Sequence, residues 1–416
     1  MNTKRFFALM LAVVMVVAMF AGCSKPQTTD DTGTNDTTGT DTTTPSDNTT
    51  GTDNSGAASG ETIKVGLLAP LTGGVAQYGI AVANGVRLFA KEINANGGIN
   101  GKQVELVEYD EEGDAAKAVT GYNHLVDEGV VGIVGDVTTG PTVAVVAESQ
   151  ADQMPMITAS ATAASVTYNA EAGTVYNNMF RSCFIDPFQG EKMASFASEK
   201  LSAKTAAIIY NNGSDYSTGC ADAFAAKCAD LGINVVATES YAAGAMDFQG
   251  QLTNIAAKSP DVLFIPDYYD TIALIAQQAR DAGVTATMLG SDGWDSVLTA
   301  VTDASLIEGA YYCSGYSTQD TTEAVQTFLK SYQAEYSDEP NMFAAQGYDA
   351  AQILFAAIQK ADADGKLDNE TIISYMKATD MDCVTGHVTF DDQNNPQKTA
   401  VIINITGGEA KYWGNY

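Results

Sequence analysis

Histidine is almost missing from this chain. Its 416 residues include two, His124 and His387, and Lys and Arg together number 21 against 51 Asp and Glu, a formal net charge of −30. So acidic a surface disfavours nucleic acid, which is bound through basic patches, and a broad docking face on anionic lipid. Also lacking are a His-x-x-x-His pair, a Gly-x-x-x-x-Gly-Lys-[Ser/Thr] phosphate loop and a Gly-x-Ser-x-Gly elbow. A catalytic site needs placed acids, bases and nucleophiles. Their scarcity points away from an enzyme, and no cofactor or metal is expected. Asp110-Glu111-Glu112 lies in a strand-to-helix loop of an acidic chain and is not read as a metal site. Thr72-Gly73-Gly74 has no Lys after it and is not read as a phosphate loop.

Cysteine is sparse and its spacing is uninformative. No Cys-x-x-Cys occurs among the six. With Cys23 set apart below, five remain: Cys183, Cys220, Cys228, Cys313 and Cys383, an odd number that leaves at least one free thiol. Cys220 and Cys228 fall eight apart on one predicted helix, ~12 Å by rise, too far to bridge. Buried free thiols are expected, with a bridge among Cys183, Cys313 and Cys383 as the alternative.

Lys4 and Arg5 precede an apolar run from Phe6 to Phe20, then Ala21-Gly22-Cys23. A basic start, an apolar core and small residues describe a secretory signal over 1–22. The run is short of the ~20 residues that span a bilayer. Cys23 directly after Ala-Gly resembles a bacterial lipobox, implying cleavage before it and lipidation, hence a membrane tether and not a span. From Ser24 to Gly60 the chain is nearly all Thr, Asp, Gly, Asn and Ser. With no aromatic or large aliphatic residue it has nothing to bury, so 23–60 is expected to be a disordered, lipid-anchored tether.

From Glu61 onward the pattern alternates. Lys64-Val-Gly-Leu-Leu-Ala-Pro70 reads as a buried strand that breaks at proline. Thr72-Gly73-Gly74 reads as a turn, and Val82, Val86, Phe89 and Ile93 follow at helical spacing. Further strands are expected at Val104–Tyr109, Val130–Gly135 and Met156–Ile157, with helices at Ala115–Glu128 and Thr142–Ala151. After Arg181–Asp186 the rhythm restarts, with strands at Ala206–Tyr210, Val235–Glu239, Val262–Pro266 and Met288–Gly290. Such alternation predicts parallel sheets covered on both faces. Loops after the carboxyl ends of such strands are where ligands sit.

Several phrases carry a family resemblance. They are Pro70-Leu71-Thr72-Gly73, Ala76-Gln77-Tyr78-Gly79, Glu92-Ile-Asn-Ala-Asn-Gly-Gly-Ile-Asn-Gly101, Val134-Gly-Asp-Val-Thr-Thr139, Pro155-Met-Ile-Thr-Ala-Ser-Ala-Thr162 and Gln278-Ala-Arg-Asp-Ala-Gly283. From about Glu61 to its end the chain resembles the leucine/isoleucine/valine-type solute-binding proteins of ABC transporters, the type I periplasmic binding proteins. The resemblance implies an α/β fold of two doubly wound parallel-sheet lobes joined by three crossover strands. The crossovers fall near Arg181–Asp186, Cys313–Tyr316 and Val384–Phe390. Lobe 1 is then 61–182 plus 317–385, and lobe 2 is 183–316 plus 386–416.

The resemblance also implies a site. Thr139 matches the residue whose hydroxyl and N–H hold a ligand α-carboxylate, Ser160 one giving backbone polar groups, and Thr162 one touching both carboxylate and ammonium. Tyr268 and Asp292 match the ammonium side, while Tyr78 and Tyr216 line the cleft. Trp294 is added from its position beside Asp292. A zwitterion leaving water needs each charge met, and neutral donors at a helix start with one facing acid would do so. The implied protein is an extracytoplasmic, monomeric receptor that closes on a small amino acid, branched-chain foremost, and delivers it to ABC permease subunits; the alternatives are the same fold binding urea, an amide or an aromatic acid, or a ligand sensor not coupled to transport. Two departures bear on ligand choice. Asp292 is shorter than the Glu common in leucine binders, and Gly113 and Thr138 stand where some relatives have a small disulfide.

Overall fold

The computed structural model describes residues 60–416. The expected signal segment, Cys23 and nearly all of the tether lie outside the described residues. The first sheet contains β1 (Thr62–Ala69), β2 (Gln103–Asp110), β3 (Ile133–Val134) and β4 (Met156–Thr158). A small hairpin of β5 (Tyr168–Asn169) and β6 (Thr174–Val175) precedes its last strand, β7 (Met179–Arg181). The order is β2-β1-β3-β4-β7, with every neighbouring pair parallel. Connecting helices are α1 (Ala76–Ala95), α2 (Ala115–Asp127) and α3 (Thr139–Ser149). In β1, Val65, Leu67 and Leu68 are all buried. A strand covered on both faces needs such a continuous apolar run.

The second sheet follows α4 (Asp186–Glu199). Its units are β8 (Thr205–Asn211), α5 (Asp215–Leu231), β9 (Asn234–Tyr241), α6 (Gln249–Ala256), β10 (Val262–Phe264), α7 (Tyr269–Asp281), β11 (Thr287–Gly290) and β12 (Tyr311–Ser314). The chain then forms α8 (Glu323–Tyr336), α9 (Met342–Ala363) and α10 (Asn369–Lys377). A hairpin of β13 (Asp380–Cys383) and β14 (Gly386–Thr389) leads to β15 (Val401–Thr406) and β16 (Glu409–Asn415). The sheet order is β16-β15-β12-β11-β10-β8-β9.

The second sheet adds an antiparallel edge to its parallel core. β15 runs antiparallel to β12, and β16 antiparallel to β15. Their turn is Gly407-Gly408, at φ 65° and 75°, the backbone that a two-residue primed turn demands and that glycine takes without strain. β16 is half-exposed and polar at alternate positions, so it lacks the apolar run by which the inner strands are found. The five cysteines of the described residues are free and buried, with no bridge among Cys183, Cys313 and Cys383.

Helix α9, late in the chain, packs on α1 beside the first sheet. The two backbones meet at Gly85 and Gly347. A Cβ at Gly85 would lie 2.1 Å from the Ala344 carbonyl oxygen, and one at Gly347 would lie 2.4 Å from that of Val82. The chain thus passes from the first sheet to α4, from β12 back to α8, and from the β13–β14 hairpin to β15. Asp349 of α9 stands at the last passage. Its carboxylate accepts from the N–H groups of Val384 (2.7 Å) and Thr385 (3.0 Å), and from the Thr385 hydroxyl (2.6 Å). Lys398, its side chain nearly buried, lies 4.0 Å away.

Candidate functional site

Helix α3 begins at Thr139, three residues before the expected start. Thr138 supplies no side-chain cap, and Pro141 in the first turn has no N–H to offer, so the helix start turns the Thr139 hydroxyl and N–H and the Gly140 N–H outward. Thr158, at the end of β4, ties this loop to its neighbour. Its hydroxyl donates to the Asp136 carbonyl oxygen (2.5 Å) and accepts from Ala161 N–H (3.0 Å). The Ser160 hydroxyl donates to the Val137 carbonyl oxygen at 2.7 Å. Two loops of the first lobe are thereby locked side by side.

Opposite them, Ser291-Asp292-Gly293-Trp294 closes a short helical turn, with Trp294 N–H donating to the Ser291 carbonyl oxygen at 3.1 Å. Glycine is required at 293, where a Cβ would come within 2.3 Å of the Asp267 carbonyl oxygen. The Tyr216 hydroxyl, from α5, donates to Asp292 Oδ1 (2.8 Å) and accepts from Gly293 N–H (2.9 Å). The Tyr216 and Tyr268 rings stack at 5.1 Å, nearly parallel at 8°. The Tyr268 hydroxyl faces the Thr139 backbone N–H across the gap between lobes.

Tyr78 makes a second span. Its hydroxyl donates to the Gly293 carbonyl oxygen (2.6 Å) and accepts from Tyr269 N–H (3.0 Å). Tyr78→Phe would leave both buried groups without a partner. A loss of about 1–3 kcal/mol from the closed arrangement is expected, measurable as weaker ligand binding by calorimetry.

Tyr78, Thr139, Ser160, Thr162, Tyr216, Tyr268 and Asp292 converge on one interlobe space of about 230 Å³, joined by Val137, Thr138, Gly293 and Phe343. A larger hollow of about 920 Å³ on the hinge side is lined by Trp294, Asp295, Tyr316 and Met342 among others. It lacks this convergence, and the smaller space is taken as the site. Trp294 faces that other hollow and not the cleft. Its indole N–H donates to the Ile265 carbonyl oxygen at 2.8 Å and its ring is fully buried, so it is a core residue of the second lobe. Its proximity to Asp292 along the chain suggested otherwise, but the helical turn sends the two side chains apart.

Two buried acids, Asp292 and Asp186, set the electrostatics of the site. Burial pushes the Asp292 carboxyl up to about 6 against hydrogen bonds that favour the anion, and neighbouring Asp295 adds to the rise. No Lys or Arg is among the groups of the described residues acting on it. Asp186, fully buried at the start of α4, is also raised chiefly by burial, with Asp292 adding to the rise, while Thr162 and the buried Arg181 favour its anion. The sequence reading missed Asp186, Gln189 and Phe343. Gln189 Oε1 accepts from Asp292 N–H at 2.7 Å. A polar residue in the first turn of a helix on a predicted crossover was the available signal.

Two α/β lobes that meet over a small, acid-bearing, tyrosine-lined space define a receptor that encloses its ligand between domains. The comparisons with known proteins agree. A family model described as periplasmic binding protein matches residues 62–409. The leucine-, isoleucine-, valine-, threonine- and alanine-binding protein of Pseudomonas aeruginosa is 29% identical over 337 residues, 80% of this chain and 87% of that protein. Among solved structures, the branched-chain amino acid transporter substrate-binding protein of Streptococcus pneumoniae in complex with isoleucine is 33% identical. The match has a TM-score of 0.78 and covers 86% of this chain and 99% of that one. An ABC-transporter solute-binding protein of R. palustris in complex with benzoate shares the fold, at 24% identity and a TM-score of 0.74, covering 85% and 96% of the two chains. The chain belongs to the periplasmic binding protein family, in its type I, leucine/isoleucine/valine-type branch.

Proposed function

We propose that this protein is the extracytoplasmic receptor of an ABC importer and binds a small amino acid, branched-chain foremost, between lobes made of 61–182 plus 317–385 and 183–316 plus 386–416. It works as a monomer, held to the membrane through Cys23, and delivers its ligand to permease subunits. It is not an enzyme. No helix of the described residues is long and apolar enough to cross a membrane, in keeping with a tethered receptor.

The convergence of Thr139, Thr162 and Asp292 on one closed space carries the reading. A buried carboxylate without a cationic partner calls for a positive ligand group, and an ammonium beside the Tyr216 and Tyr268 rings gains cation–π attraction as well. The Thr139 and Thr162 hydroxyls and the positive end of α3 suit the carboxylate. The ligands named for the Pseudomonas aeruginosa and Streptococcus pneumoniae relatives fit both ends. An aromatic acid such as benzoate would stack on the same rings but would bring a second anion toward Asp292 and Asp186, with no ammonium to offset them.

Titration calorimetry with leucine, isoleucine, valine, threonine, alanine and benzoate decides. Heat is expected from at least one branched-chain amino acid. Silence from all the amino acids, or heat from benzoate alone, would retire the proposal.

A further inference from the structure

Behind the loop that carries Val137, Thr138 and Thr139 lie two acids that the ligand does not need. Glu111 follows β2 and Asp136 follows β3, and both are 0% exposed. Three of their four carboxyl oxygens, both of Glu111 and Oδ2 of Asp136, have no hydrogen-bond partner among the described residues. The fourth, Asp136 Oδ1, accepts from Val137 N–H. The N–H groups of Gly113 and Asp114 favour the Glu111 anion from nearby, yet neither reaches it with hydrogen-bond geometry. The two carboxyl groups are within hydrogen-bonding reach of each other.

Among the described residues no cation is one of the main charges acting on the pair. Asp110 and Asp114 are the charges acting on Glu111, and Glu111 is the charge acting on Asp136. Asp110 is itself engaged by Leu71 N–H, Thr72 N–H and the Thr72 hydroxyl. Lys117, the basic residue of this loop region, is 2.6 Å from Glu112. Two bare anions in contact out of water repel strongly, whereas one proton between them makes a charge-assisted O–H···O bond and satisfies two of the three orphan oxygens.

We propose that Glu111 and Asp136 share one proton, and that this acid pair positions the Val137–Thr139 loop, so that ligand affinity falls when the proton is lost. Asp136 is well placed for that. Its carbonyl oxygen takes the Thr158 hydroxyl, which also receives Ala161 N–H, and Ser160 donates to Val137. Loss of the pair therefore loosens both cleft loops of the first lobe. Burial raises both groups, Glu111 to about 7 and Asp136 well above its ordinary value, so the last proton of the pair leaves at neutral pH or above.

The inference rests on the cleft being the ligand site, and its test separates the two. Leucine affinity is measured by calorimetry from pH 5 to 9 on the full chain and on Glu111→Gln and Glu111→Ala. The glutamine amide is a donor that cannot titrate. Wild-type affinity is expected to fall by about threefold or more above pH 7, the sign for a proton held in the competent state. Glu111→Gln should stay flat over that range, and Glu111→Ala should be weak at every pH. Identical profiles for wild type and Glu111→Gln would overturn the proposal. So would Glu111→Gln behaving as Glu111→Ala does. The denaturation midpoint supplies a readout that needs no ligand. Raised carboxyl groups make stability drop as pH climbs from the ordinary carboxylate range to about 7, and Glu111→Gln should shed part of that slope. If leucine gives no heat but the slope changes as stated, the ligand reading fails and the acid pair stands. An unchanged slope sinks the pair.

Discussion

Asp292→Asn should weaken leucine binding by at least 2 kcal/mol, about thirtyfold, while leaving the protein as stable as before or more so. The carboxylate is buried, and the hydrogen bond from Tyr216 at 2.8 Å is one that an asparagine oxygen can accept equally well. The shape of the turn is therefore kept and only the charge is removed. Truncating one side of a buried charge pair costs about 2–5 kcal/mol of binding. The same change relieves the ligand-free protein of an ionised group that burial disfavours, which is how a binding residue that costs stability reveals itself. The pH dependence has a definite sign. With the carboxyl raised to about 6, protonation below that value removes the partner of the ammonium. Affinity should drop by up to about tenfold per unit as pH falls through 6, and Asp292→Asn should abolish that limb. Unaltered affinity in the variant would rule out an ammonium at this position.

Asp349→Ala is expected to cost about 3–5 kcal/mol of stability, read as a lower denaturant midpoint at unchanged slope. Three donors converge on this carboxylate, and Lys398 stands behind it with its side chain 5% exposed. Burial raises the Asp349 carboxyl, and Lys398 and the Thr385 and Val384 groups pull it back toward ionisation. Alanine would take the anion away from the buried Lys398 ammonium, which keeps the Thr385 hydroxyl as an acceptor at 2.6 Å, and would strand two backbone N–H groups. Asparagine keeps an acceptor and should cost less, so the difference between the two variants isolates the hydrogen bonds from the charge.

Much of this architecture was readable in advance, for physical reasons that differ by element. The first strand, its turn and α1 are visible because an apolar run, a proline break and a helical stripe occur in succession. Thr139, Thr162 and Asp292 came from short phrases shared with relatives, and their positions at strand ends are where a parallel sheet puts ligand groups. What stayed hidden depends on packing between distant segments. Nothing local distinguishes Glu111 from its neighbours Asp110 and Glu112, yet it is buried while Asp110 caps the Leu71–Thr72 turn. Gln189 and Asp186 look like ordinary first-turn helix residues until α4 is laid against the Asp292 turn. Trp294 was misplaced because a three-residue helical turn reverses direction faster than chain proximity suggests. The β15–β16 hairpin carried a usable signal in Gly407-Gly408, which the polar character of β16 obscured.

The pairing of α1 with α9 has a bearing on biogenesis. Gly85 and Gly347 are brought into contact across most of the chain, whereas β8 to β12 form a nearly continuous stretch whose neighbours are close in sequence. Closing long loops is slow and costs entropy before any contact repays it. During vectorial export the middle portion can therefore condense as soon as it emerges. The amino-terminal segment, although first across the membrane, must wait for residues beyond 340 before its outer helix layer is complete. Its unfinished sheet is the stretch most in need of chaperone protection.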